Sequence, residues 1–241
     1  MASPRKVKAV VVGLKRYIDD ITWYRLKPEF SCRFKPGQFL HLALDSYDPS
    51  FNWPESRVFS IANAPGKEFI DILVSPKGRF TQRMIKELNV GTQVWLKLPY
   101  GSFNFDSSID KNIVLIAGGT GITPFISFLE YLLENQIKYY SVNLFYGVRH
   151  PDLLIFENNI ENYRQKIKEF YCKIFCEYIN GTKHLETEQG VLPVQEILKQ
   201  TSSLDTPEYY LSGPKAMIES FESELRNQGI SGESILYDRW E

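Results

Sequence analysis

The chain has 241 residues, 43% hydrophobic and 24% charged, with 28 basic against 29 acidic side chains and a net charge of −1. That composition argues against a disordered chain and leaves no basic surplus with which to hold nucleic acid. The length suits two domains of roughly 100 to 140 residues, each able to bury a core.

The first hundred residues read as β structure. Strand-like runs occupy 7–12, 21–26, 39–44, 57–62, 69–74 and 93–98, punctuated by turns at 34–38 and 75–78, with a polar loop over about 45–56 and a short helix over about 80–88. Short strands with one helix predict a small antiparallel barrel. The rhythm then changes. Strands at 113–117, 142–146, 171–177, 208–211 and 234–237 alternate with helices at 122–135, about 153–168, 193–200 and 214–227, the pattern of βαβ units on a parallel sheet. The fold class is therefore an antiparallel β-barrel domain over 1–108 followed by an α/β parallel-sheet domain over 109–241, with the boundary in the polar stretch 105–111.

The most informative stretch opens the second half. Ile113 to Ala117 run straight into Gly118, Gly119, Thr120, Gly121, Ile122, Thr123 and Pro124, which reads as buried strand, glycine turn and helix. Such a turn cradles phosphate. Glycine lets the backbone approach a ligand, and the N–H groups of a helix N-terminus face it. The spacing is neither G-x-G-x-x-G nor a P-loop, and a plain strand-to-helix turn needing glycine for packing remains the alternative. Residues 113–129 carry no charge, but the glycines and Pro124 divide that run into a strand and a helix, so no membrane insertion is expected. Three cysteines, Cys32, Cys172 and Cys176, are too few and too oddly spaced for a disulfide framework and are expected to be free thiols. No metal site is expected, since His41, His150 and His184 are scattered. An N-terminus without an apolar core segment points to the cytoplasm.

Six features in order carry a resemblance: Arg57-Val58-Phe59-Ser60; Lys77-Gly78-Arg79-Phe80-Thr81; Leu98-Pro99-Tyr100-Gly101-Ser102-Phe103; the glycine turn 118–124; Tyr146-Gly147-Val148-Arg149; and Leu211-Ser212-Gly213-Pro214. In content and order they resemble the ferredoxin–NADP reductase superfamily, over roughly residues 6 to 241. The resemblance implies a flavin-dependent oxidoreductase that takes a hydride from NAD(P)H onto FAD and passes single electrons to a separate acceptor such as ferredoxin or flavodoxin. FMN-binding relatives exist.

By the same resemblance, Arg57 would face the flavin pyrophosphate, Phe59 would lie along the ring where the family has tyrosine, and Ser60 would hydrogen-bond near flavin N5, with Val58 between them. Lys77 to Thr81 would receive the flavin pyrophosphate at a helix N-terminus. Gly118 to Thr123 would hold the pyrophosphate of NADP(H), or of NAD(H). Ser212, where the family has cysteine, would stand near the reacting nicotinamide carbon, beside Gly213 and Pro214. Trp240 would cover the flavin face and move aside for hydride transfer. Arg149 would meet the adenosine ribose, where a guanidinium suits a 2′-phosphate and so favours NADPH.

Alternatives share these motifs: an NADH-dependent reductase of a cytochrome b5-like or oxygenase partner, a free flavin reductase, an electron-transfer subunit of a larger enzyme, or a catalytically silent nucleotide-binding module. Three cysteines cannot supply a four-cysteine iron–sulfur cluster, so the acceptor is expected to be another molecule.

Overall fold

A computed structural model describes residues 3–105, 111–137, 141–178 and 187–238. The chain divides into two compact units, one within Met1–Phe105 together with Ile126–Tyr131, the other within Asp106–Phe125 and Leu132–Glu241.

The first unit is a six-stranded antiparallel sheet built from β1 (Arg5–Arg16), β2 (Thr22–Pro28), β3 (Phe39–Ala43), β4 (Ser56–Ser60), β5 (Ile70–Val74) and β6 (Gln93–Tyr100). Its strand order is β4-β3-β6-β1-β2-β5, and the two end strands approach one another, so the sheet nearly closes into a barrel. Alternation sets which side chains fill it. Along β1, Val7, Ala9 and Val11 point into the core while Lys6 and Lys8, which alternate with them, do not, and the register shifts between Val11 and Gly13. That irregularity carries β1 on to Arg16, past the end at residue 12 that the sequence suggests. β5 is buried throughout. Helix α1 (Arg79–Glu87) buries Phe80 and Met84 in the same core, which unites them with Leu40, Leu42, Ile72 and Leu96.

The second unit is a six-stranded parallel sheet: β7 (Asn112–Gly118), β8 (Ser141–Val148), β9 (Phe170–Cys176), β10 (Thr187–Gln189), β11 (Glu208–Ser212) and β12 (Ile235–Tyr237). All seven residues of β7 are buried, as a central strand covered on both faces requires. The crossovers carry α2 (Thr123–Asn135), α3 (Glu157–Lys166), α4 (Val194–Thr201) and α5 (Lys215–Asn227). The helix expected over about 153–168 proves shorter, because Pro151–Leu153 form a separate 3-10 turn ahead of α3. The order β10-β9-β8-β7-β11-β12 holds the functional consequence. From β7 the chain moves outward through β8, β9 and β10, then returns to the other side of β7 with β11 and β12. The direction therefore reverses between β7 and β11, and the crevice beyond the carboxyl ends of those strands is where open parallel sheets place ligands.

No helix among the described residues is long and apolar enough to cross a membrane. The uncharged run is split between β7 and α2, whose first turn holds Pro124. Cys32, Cys172 and Cys176 are free thiols.

Candidate functional site

At the reversal point the glycine turn is held by backbone contacts. β7 ends at Gly118, and residues Gly119–Ile122 form a 3-10 turn that leads into α2. A Cβ added to Gly121 would stand 2.6 Å from Gly213 Cα and nearer still to the Ser212 carbonyl, neither of which can yield without moving main chain. A Cβ on Gly213, whose φ is +158°, would stand 3.1 Å from both Cα and N of Gly118. The two loops thus lie backbone against backbone, an approach open only to glycine.

The opposite side of the turn is open. Gly119 adopts φ +53°, and a Cβ there would meet nothing within 4 Å. Thr123 is buried and spends its hydroxyl on the Thr120 carbonyl at 2.7 Å. No side chain caps the N-terminus of α2, and its first turn holds no acid. The Thr123 N–H is bonded back to the Thr120 carbonyl and Pro124 has no N–H, so the backbone that could meet an anion is that of the open glycine turn ahead of the helix. Ser212 ends β11 with 1% of its surface exposed, paired in register with Ala117, and Pro214 precedes α5.

Arg149 lies just beyond β8 and is exposed. Its carbonyl accepts the Tyr178 N–H at 2.9 Å, and its guanidinium makes no ion pair with the described residues. The next residue, His150, instead turns onto its own loop, where Nδ1 accepts the Asp152 N–H at 3.3 Å.

The barrel unit holds a second anion-type arrangement. Gly78 is the extended N-cap of α1, and a Cβ there would meet nothing within 4 Å. Thr81 Oγ1 accepts the Gly78 N–H and donates to the Gly78 carbonyl, each at 3.0 Å, which fixes the entry to the helix. Lys77 and Arg79 are exposed beside it, and no acid occupies the first turn. Arg57 stands on β4 with its guanidinium 5.1 Å from the centre of the Phe80 ring, while Nη2 holds Glu55 at 2.9 Å. Arg57 thus lies beside the start of α1, with its charge shared with Glu55. Val58 is half-buried opposite His41, and Ser60 is buried at the strand end opposite Phe39. Phe59 lies mostly in the barrel core, with 8% of its surface exposed. Trp240 lies outside the described residues.

Behind β4 sits a polar network that the sequence reading missed. Asp71 in the buried strand β5 takes a two-pronged contact from Arg25, whose Nε reaches Oδ1 at 2.9 Å and Nη2 reaches Oδ2 at 2.8 Å. Asn63 Oδ1 accepts the Asp71 N–H at 2.7 Å, and its amide donates to the carbonyls of Ala64 and Phe69. Burial raises the Asp71 carboxyl above its ordinary range, and the opposing pull of Arg25 is smaller. A lone acid inside the run 69–74 was the available signal, because a buried charge demands a partner.

Known proteins match these features. Residues 115–223 fit the family model described as the oxidoreductase NAD-binding domain. The reductase component of propane 2-monooxygenase from Mycolicibacterium smegmatis is 26% identical over 240 residues, covering 96% of this chain and 67% of that protein. The flavohemoprotein of Rhizobium meliloti is 26% identical over 235 residues, covering 91% and 57% respectively. The chain thus spans about two thirds of the first relative and just over half of the second. Among solved structures, a ferredoxin NADP+ reductase from Neisseria gonorrhoeae with bound FAD and NADP superposes with a TM-score of 0.77 at 19% identity, covering 99% of each chain, which establishes a shared fold.

Proposed function

We propose that this chain, an FAD-dependent NAD(P)H oxidoreductase of the ferredoxin–NADP reductase superfamily, draws electrons preferentially from NADPH and delivers them singly to a separate ferredoxin or flavodoxin. Bound flavin supplies the chemistry, since it accepts a hydride from a nicotinamide and can release electrons one at a time. The residues of this chain supply binding and orientation.

The observation that carries the reading is the glycine turn at the β7/β11 reversal, closed on one side by Ser212 and Gly213 and open on the side of Gly119. Its donors suit a pyrophosphate. A group seated there lies beside Ser212, Gly213 and Pro214, which supports nicotinamide placement at the end of β11. The fit for FAD rests on the start of α1, where open Gly78, exposed Lys77 and Arg79, and the nearby Arg57 offer donors and positive charge to a second pyrophosphate. Ser60 at the end of β4 would be the hydroxyl nearest flavin N5, and Phe59 would meet the flavin with the small part of its surface that the barrel core leaves exposed.

Preference for NADPH rests on Arg149. An exposed guanidinium with no carboxylate partner among the described residues is available to a 2′-phosphate dianion. Anaerobic reduction with NADPH and NADH at matched concentration tests this. Arg149→Ala is expected to raise the KM for NADPH about 10-fold, the worth of one charge-assisted contact, and to leave that for NADH within twofold. An unchanged preference removes Arg149 from the role.

A second reading is favoured by one finding, the name of the Mycolicibacterium relative. On that reading the acceptor is an oxygenase component. Electron delivery assayed with flavodoxin, a [2Fe–2S] ferredoxin and an oxygenase component separates the two.

A further inference from the structure

A buried hydroxyl at the nucleotide turn has no task in the reading above. Tyr146 lies on β8 opposite Ala117, with Gly147 opposite Gly118, so its ring sits beneath the start of the glycine turn. The side chain is fully buried. Its hydroxyl donates to the Gly119 carbonyl at 3.1 Å, and the Leu153 carbonyl stands at 3.4 Å as a weaker acceptor for the same proton. Burial holds the phenol far above its ordinary range, so the group remains a donor at any working pH.

The consequence follows from peptide geometry. A peptide unit is planar and trans, so its carbonyl and the next residue's N–H point in opposite directions. Drawing the Gly119 carbonyl inward to Tyr146 turns the Thr120 N–H outward, toward the open side that Gly119 leaves at φ +53°. With the peptide reversed, a carbonyl oxygen would face the anion and repel it. We infer that Tyr146 is a positioning residue for the nucleotide pyrophosphate, holding the Gly119–Thr120 peptide so that its N–H and not its oxygen meets the phosphate. This role rests on the assignment of the turn to NAD(P)H.

Tyr146→Phe keeps the ring and removes the hydroxyl. ADP-ribose carries the pyrophosphate without redox chemistry, and calorimetry on the flavin-loaded protein is expected to show about 3- to 10-fold weaker binding, the range for loss of one hydrogen bond. The KM for the nicotinamide nucleotide rises by the same factor, with kcat for ferricyanide reduction within twofold. Unchanged ADP-ribose affinity, or a fall in kcat with KM unmoved, overturns the inference. In the unaltered protein the Thr120 amide should exchange rapidly with solvent deuterium and be slowed by ADP-ribose; an amide protected in the free protein also overturns it. An unaltered protein that does not bind ADP-ribose at all overturns the nucleotide assignment itself, and this role with it.

Discussion

Gly121→Ala weakens ADP-ribose binding by about 100-fold, the scale expected when a binding group is displaced by about an ångström, and costs about 2 kcal/mol of stability, within the range for forcing an extra carbon into a packed site. The added Cβ would fall far inside van der Waals contact of the Ser212 carbonyl and 2.6 Å from Gly213 Cα. Both are main-chain atoms, so the β11–α5 turn or the glycine turn itself must shift. Either movement separates the glycine turn 119–122 from Ser212 and Gly213. Gly119→Ala provides the contrast. Its Cβ meets nothing, although φ +53° imposes modest backbone strain. Urea unfolding and calorimetry on both variants check the claim. Equal effects from the two substitutions would show that loss of glycine flexibility, not contact with β11, governs the turn.

Arg25→Ala destabilises the protein by about 2 to 3 kcal/mol at neutral pH, because it leaves Asp71 buried without its counter-charge. The expected loss is below that of a deep ion pair, since the Arg25 side chain is 37% exposed while that of Asp71 is only 8%. The substitution also removes the guanidinium from above the Phe69 ring, 3.7 Å from its centre. The effect depends on pH with a definite sign. Burial already raises the folded-state pKa of Asp71 above its ordinary 3.8, and removing Arg25 raises it further. An acid with a raised folded pKa loses stability as pH climbs through that value, and the variant loses more than the parent. The gap between the two should therefore be full at neutral pH and narrow as pH falls toward 3.8, where Asp71 is protonated in both. Urea titrations at pH 7 and pH 4.5 check this, and a gap that stays constant or widens toward acid contradicts it.

Much of the architecture was legible in the sequence because the two halves differ in period. The alternation of Val7, Ala9 and Val11 with Lys6 and Lys8 marks a barrel strand, and the unbroken apolar run into Gly118 marks a central parallel strand. What escaped has physical reasons. β10 is three residues, Thr187 to Gln189, with only Thr187 buried, so it carries neither alternation nor apolar content. It exists because β9 presents a free edge at Ile174 to Cys176. Tyr146 enters the sequence reading only as the strand end that opens the motif at 146–149, with no role of its own. Its significance lies in a carbonyl 27 residues earlier in the chain, which only the β7/β8 register brings within reach.

The central claim is that this chain carries reducing equivalents from a nicotinamide nucleotide through a bound flavin. Anaerobic addition of NADPH, and separately NADH, to the purified protein, followed by visible absorption, tests it most directly. The account predicts a yellow protein that releases FAD on denaturation and whose flavin band bleaches on addition of nucleotide, faster with NADPH. A colourless protein that takes up no FAD, or a flavin band unmoved by either nucleotide, would contradict it.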